Sequence, residues 1–135
     1  MKRELAEKLA AAGYEVIDES GKRLDPEDDF PQFAARVVMA MKASDDQEVF
    51  GVLICGSGQG MCMAANRYKG IRASLVWSLE EAHASRNDDD SNILCLPARY
   101  MSAKDAVKIA EAWLVTPFAG APRFKRRIKE LDKLG

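Results

Sequence analysis

Residues 49–65, VFGVLICGSGQGMCMAA, decide the fold. The first seven form a near-continuous apolar run of strand length, the pattern of a parallel strand buried on both faces. The next five, Gly56-Ser57-Gly58-Gln59-Gly60, alternate glycine with polar residues, and a helix follows from Met61 to about Tyr68. Alternating glycines let a backbone turn sharply and aim several N–H groups at one point. The helix N-terminus behind them adds positive potential. Such a loop suits a phosphate or a developing oxyanion; the plain alternative is a tight turn without a ligand. Known phosphate loops fail on spacing. A Walker loop needs Lys and then Ser or Thr after its last glycine, whereas Met61 and Cys62 follow Gly60. The dinucleotide fingerprint needs G-x-G-x-x-G and a later acid, whereas the pattern here is G-x-G-x-G and the next strand ends at Val76-Trp77. A cysteine-phosphatase loop needs Arg at the place of Met61.

Outward from this unit, strands and helices alternate. Upstream, residues 2–12 (KRELAEKLAAA) read as an amphipathic helix with Leu5 and Leu9 at i, i+4, stopped by Gly13 and lacking a polar cap at its start. Tyr14–Ile17 reads as a short strand, 18–29 as a polar loop, and Phe33–Met41 as a helix entered through Pro31. Downstream, RASLVW (72–77) is a strand, and 78–87 a helix capped by Ser78 with Glu81 in the capping-box position. DDDSN (88–92) is a loop and ILCLP (93–97) a strand. A helix from about Ala103 to Leu114, a break at TPFAGAP and a basic helix from about Pro122 to Leu134 complete the chain. Alternation with short loops predicts an α/β domain over residues 1–135, with a parallel sheet and helices on both faces. Four strands are expected, and the chain opens inside a βα unit.

Composition narrows the partners. Twenty Lys+Arg against 21 Asp+Glu leave a net charge of −1, so no overall field draws nucleic acid or an anionic membrane. Apolar residues at 47% and charged ones at 30% are a globular balance, and no apolar run is long enough for a membrane span. Three cysteines cannot close a disulfide framework; with no secretory leader, a reducing cytoplasm is expected.

Cys55 lies at the carboxyl end of its strand, the edge where open α/β sheets carry ligands. A thiol beside a helix N-terminus ionises more readily than a free one. This makes Cys55 a candidate base, set against the common fate of a strand cysteine as a small buried hydrophobe. Cys62 and Cys95 read as core or supporting residues. The cysteines and His83 lack paired ligand spacing, so no metal is expected, and His83 reads as exposed on a polar helix. Asp88-Asp89-Asp90 is either a solvated loop or the edge of a site. Arg123 and Arg127, one turn apart, share a helix face that could clamp a phosphate.

These pieces, in this order, resemble the sugar-phosphate isomerase family of ribose-5-phosphate isomerase B and the galactose-6-phosphate isomerase subunits. The resemblance is carried by GVLICGSGQGMCMAANRYKGIRASL (51–75), SRNDDDSNILCLPARYMS (85–102), TPFAGAPRFKRRI (116–128) and, more weakly, DDFPQFA (28–34). It implies a flavodoxin-like (Rossmann-like) parallel sheet. It implies a dimer or tetramer whose active sites are shared between subunits. It also implies a cofactor-free, metal-free aldose–ketose isomerisation of a pentose or tetrose phosphate through a cis-enediolate. On that resemblance Cys55 is the base, and Ser57 with the amides of Gly56, Gly58 and Gly60 holds the enediolate oxygens. Arg99, Arg123 and Arg127 hold the phosphate, largely from the partner subunit, while Asn66 has a structural role.

Three departures stand out. The family opens with a strand ending in Asp-His, placed between the strands at 14–17 and 49–55, and this chain has none; either upstream residues supply it or the sheet closes around the gap. The family's R-x-H-N-D-x-N reads Arg86-Asn87-Asp88-Asp89-Asp90-Ser91-Asn92 here. Asp88 thus replaces a ring-opening His, and Asp89 replaces an Asn near the enediolate, where a carboxylate is unfavourable unless protonated or paired. Phe30 replaces an aromatic bearing a hydroxyl. Two functions follow as alternatives: an active isomerase, with Asp88 opening the ring or an open-chain substrate, and a catalytically silent sugar-phosphate-binding subunit of an active paralogue.

Overall fold

The computed structural model describes residues 1–21, 27–46 and 48–135; residues 22–26 of the expected 18–29 loop lie outside the described residues. The elements are α1 (Lys2–Ala11), α2 (Phe30–Ala43), β1 (Gly51–Cys55), α3 (Gln59–Ala65), β2 (Ala73–Leu75), α4 (Leu79–Asp89), β3 (Ile93–Pro97), α5 (Ala103–Val115) and α6 (Pro122–Leu131). The caps behave as their residues dictate. Ser78 accepts from the Glu81 amide at 3.1 Å and Ser102 from the Asp105 amide at 3.1 Å, whereas α1 begins at Met1 without a side-chain cap. Pro31 sits in the first turn of α2, where its missing N–H costs nothing.

The sheet is parallel throughout, in the order β1-β3-β2. β3, all apolar and buried in all five residues, takes the centre. Its alternation feeds two cores. Ile93 and Cys95 join Leu53, Ala34, Val38, Met61 and Ala65 under α2 and α3. Leu94 and Leu96 join Val76, Trp113, Ile109, Leu5 and Leu9 under α1, α4 and α5. The result is a three-layer α/β fold, a parallel sheet with helices on both faces and the last strand inserted between the other two.

Tyr14–Ile17 is not a strand. Its pattern suits one, but β1 pairs only with β3 among the described residues, so the sheet does not close toward this segment. Without a neighbouring strand its backbone has no ladder to join, and Ile17 is left 71% exposed. The acidic run also differs from expectation: α4 continues through Asp88 and Asp89, and Asp90 ends it in the left-handed conformation, φ 49°.

Candidate active site

Cys55 is the last residue of β1, half-buried, and the chain turns directly into the glycine loop. The Gly58 amide donates to Cys55 Sγ at 3.1 Å, aiming a main-chain dipole at the sulfur. Gly58 stands at φ 75°, and a Cβ there would lie 2.5 Å from Leu75 Cδ1, so this corner demands glycine. Ser57 Oγ accepts from the Gln59 amide at 3.3 Å, leaving its own proton to donate. The amides that open α3, including that of Gly60, have no acceptor within the helix.

Two side chains close over this loop. The Arg99 amide donates to Gly56 O at 2.9 Å, and its guanidinium fills the space beside Gly56, where a Cβ would meet Nη2 at 2.7 Å. The tip of the Phe30 ring fills the space beside Gly60, at 2.7 Å from a Cβ built there. Cys55, Gly56, Ser57, Gly58, Gly60 and Arg99 therefore converge, with Phe30 as an apolar wall. Asn66 clamps β2 as a spacer: Oδ1 accepts from the Ala73 amide at 2.8 Å and Nδ2 donates to Ala73 O at 2.9 Å.

Asp88, Asp89, Arg123 and Arg127 lie elsewhere. β3 starts at Ile93 opposite Gly51 and ends at Pro97 opposite Cys55. The end of α4 precedes Ile93, so the acidic run sits at the N-terminal edge of the sheet. Five paired residues at about 3.3 Å rise put it at least ~13 Å from the Cys55 end. There Asp88 Oδ1 accepts from Asn87 Nδ2 at 2.8 Å. Solvent reaches Asp89, yet the protein around it removes part of its hydration and raises its pKa; the Asp88 charge adds to the rise, and Arg127 of α6 opposes it. One chain thus brings Asp88, Asp89 and Arg127 together, and separates them from Cys55 and Arg99.

Sequence reasoning missed what frames this second cluster. Arg86 is 7% exposed, lies over the rings of Phe50 and Trp113 at 5.0 and 5.6 Å, and pairs with Asp90 at 2.8 Å. It also donates to the carbonyls of Thr116 and Ser91. Arg72 reaches the Asp89 and Asp90 carbonyls, both at 3.1 Å, and the Asp90 carboxylate at 3.5 Å. Asn92 accepts from the Arg72 amide at 2.8 Å and donates to Gly70 O at 2.9 Å. The one available signal was the i, i+4 spacing of Arg86 and Asp90, which suits a helical ion pair.

The fold and the cysteine-bearing loop define a class, the sugar-phosphate isomerases built on a parallel α/β sheet. The ribose/galactose isomerase family profile matches residues 1–131, and the chain belongs to that family. It is similar to the probable ribose-5-phosphate isomerase B of Mycoplasma genitalium, 37% identical over 97% of this chain and 85% of that one. The Escherichia coli ribose-5-phosphate isomerase B is 33% identical over 99% of this chain and 87% of that one. Among solved structures, the Thermotoga maritima ribose 5-phosphate isomerase superposes with a TM-score of 0.91 at 38% identity, covering 98% of this chain and 89% of that one. The Mycoplasma genitalium enzyme with bound ribulose-5-phosphate also gives 0.91, at 37% identity, covering 98% and 86%. Among the described residues no helix is long and apolar enough to cross a membrane.

Proposed function

We propose that this protein interconverts an aldose phosphate, of the pentose or tetrose class, and its ketose isomer, with Cys55 as the base. The observation that carries the reading is the Gly58 amide on Cys55 Sγ at 3.1 Å, at the mouth of a loop whose other amides stay free of helix acceptors. The Cys55 thiolate removes the proton from C2 of the open-chain aldose. The electron pair forms the C1–C2 double bond, and the carbonyl oxygen takes the negative charge. Ser57 and the loop amides stabilise that oxyanion, the task at which pre-aimed donors are most effective. Returning the proton to C1, with a proton shift between O1 and O2, yields the ketose.

The remaining parts come from a second copy in this reading. Asp88, Asp89, Arg123 and Arg127 lie at the far edge of their own sheet, so they reach a Cys55 loop only from a partner subunit, in a dimer or a tetramer. A symmetric pair then gives each site Arg99 from one chain and the Arg123–Arg127 face from the other. Arginine forks hold the phosphate bidentately, and that remote binding energy orients the reacting carbons. In this reading Asp88 serves as the base that opens the sugar ring, and Asp89 beside it is tempered by Arg127. The three unpaired thiols suit a reducing cytoplasm.

The test is a panel of four-, five- and six-carbon aldose phosphates, followed by appearance of the ketose phosphate. Turnover of at least one member is expected. Binding of sugar phosphates without any turnover overturns the isomerase reading and leaves the silent-subunit alternative.

A further inference from the structure

β2 is an edge strand, and side chains of α3 answer its outward backbone. The Val76 amide donates to Cys95 O at 3.0 Å, and Arg72 O accepts from the Ile93 amide at 3.4 Å. In a parallel ladder alternate residues turn to the neighbouring strand, so Ala73, the residue after Arg72, points its N–H and C=O away from β3. Asn66 takes both groups: Oδ1 accepts from the Ala73 amide at 2.8 Å and Nδ2 donates to Ala73 O at 2.9 Å. Cys62 Sγ, one turn earlier on α3, donates to the same carbonyl at 3.3 Å. Asn66 is solvent-exposed and ends α3 as its C-cap. An exposed amide can be satisfied by water; this one is committed to a single residue of the neighbouring strand.

A short chain of hydrogen bonds runs from that grip to the reactive sulfur. The Asn66 amide donates to Cys62 O at 3.1 Å, the Cys62 amide to Gly58 O at 3.2 Å, and the Gly58 amide to Cys55 Sγ at 3.1 Å. α3 has only seven residues, roughly 10 Å of helix, so a grip on its end governs where its beginning lies. β2 also meets that beginning. Leu75, two residues beyond Ala73, sets Cδ1 2.5 Å from the place of a Gly58 Cβ, and Leu96 C and Pro97 N lie 3.2 Å from the same point. Gly58 is wedged between that methyl and the end of β3. A slide of α3 along β2 therefore either presses Gly58 onto these atoms or draws its amide off the sulfur.

We propose that Asn66 is a positioning residue of the isomerase site: its two bonds to Ala73 fix α3 along β2 and so hold the Gly58 amide on Cys55. The kinetic consequence rests on the isomerase reading above; the place of the Gly58 amide does not. A donor aimed at the reacting centre acts on the chemical step, so its displacement lowers kcat and leaves KM largely alone. The molecule holds a matched comparison. Asn92 Oδ1 accepts from the Arg72 amide at 2.8 Å and Nδ2 donates to Gly70 O at 2.9 Å, the same pair of bonds made from the β3 side and without α3.

The experiment sets Asn66→Ala and Asn92→Ala beside wild type. Each variant loses one donor and one acceptor of the same kind, so a purely structural role predicts the same behaviour from both. In isotope-labelled protein the Gly58 amide resonance of Asn66→Ala should move, and its hydrogen exchange should quicken about tenfold, while Asn92→Ala keeps both near wild type. On a sugar phosphate that wild type turns over, Asn66→Ala should lower kcat about tenfold with KM within about twofold. Asn66→Asp keeps an acceptor for the Ala73 amide and should place the Gly58 resonance between those of wild type and Asn66→Ala. It carries the test if Asn66→Ala does not fold, its Gly58 amide then being expected to differ from that of wild type. The proposal is overturned if the Gly58 amide stays in place when Asn66 is replaced, if Asn92→Ala moves it as far, or if KM rises while kcat holds. Failure of wild type to turn over any sugar phosphate would sink the isomerase reading alone, and the Gly58 amide would still decide what Asn66 positions.

Discussion

The two edges of this sheet keep different things. At the C-terminal edge the glycine loop is closely packed: Cys55 receives the Gly58 amide, and Arg99 and Phe30 fill the spaces beside Gly56 and Gly60. At the N-terminal edge the Arg86–Asn92 stretch keeps its frame and changes its outward residues. Arg86, Asp90 and Asn92 match the family pattern and are bonded into the structure. Asp88 and Asp89, which depart from it, contribute no side-chain support to the sheet. Framing and outward residues thus separate within seven positions, and the outward Asp89 has its pKa raised by partial burial and by the Asp88 charge.

The largest effect should come from removing the reactive atom at the intact edge. Cys55→Ala should lower kcat about 10³-fold, the scale of a lost general base, with an unchanged melting curve. It also tests whether the edges serve one site. Co-refolding Cys55→Ala with the Arg123→Ala/Arg127→Ala double variant should recover about a quarter of wild-type activity, because half the random dimers hold one complete site of two. No recovery in verified mixed dimers would break the pairing of the two edges.

Next comes the frame of the altered edge. Arg86→Ala leaves Asp90 without its closest cation and strips the carbonyls of Ser91 and Thr116 of a donor. A loss of about 3 kcal/mol in denaturant unfolding is expected, as for other broken buried ion pairs. Asp88→Ala should leave that stability within about 0.5 kcal/mol of wild type. Equal losses in both variants would erase the distinction between frame and reactive residues.

How far the fold could be read from residues alone follows the same division. The β1–loop–α3 unit was legible because its signals are local: a seven-residue apolar run, alternating glycines and a helix behind them. Both caps, Ser78 and Ser102, follow from nearest neighbours. Tyr14–Ile17 misled because alternation reports a suitable face and says nothing of whether a partner strand lies alongside. The central place of β3 was implicit in ILCLP, which is apolar at every position, yet strand order depends on long-range pairing that no local pattern encodes. The separation of Asp88 and Asp89 from Cys55 was hidden for a similar reason, whereas the resemblance already implied that Arg123 and Arg127 serve a partner's site. Motif order along the chain does not tell which end of a parallel sheet each loop occupies, whereas the register of Ile93 opposite Gly51 does.

A smaller effect bears on the phosphate-binding side. Arg127→Ala should raise KM about tenfold for a phosphorylated sugar with little change in kcat, the signature of lost ground-state phosphate binding. The same substitution removes the charge that restrains Asp89, so the Asp89 carboxyl should titrate still higher, which a pH series of carboxyl carbon NMR shifts would read. An unchanged Asp89 titration in Arg127→Ala would separate α6 from the acidic run.

The smallest effect is a pH dependence of stability centred on Asp89. Its folded-state pKa is raised, by burial first and the Asp88 charge second. The folded protein therefore binds this proton more tightly than the unfolded chain. The associated stability is fully present below the unfolded pKa and is lost as pH rises through the folded one. Asn carries no such proton, so the stability of Asp89→Asn relative to wild type should rise across that window and level off above it. Denaturant unfolding of both proteins from acid to neutral pH measures the difference. A flat difference would mean that Arg127 balances burial and repulsion completely, making Asp89 as well accommodated when charged as the residues of the intact edge; a falling one would mean that the pairing dominates.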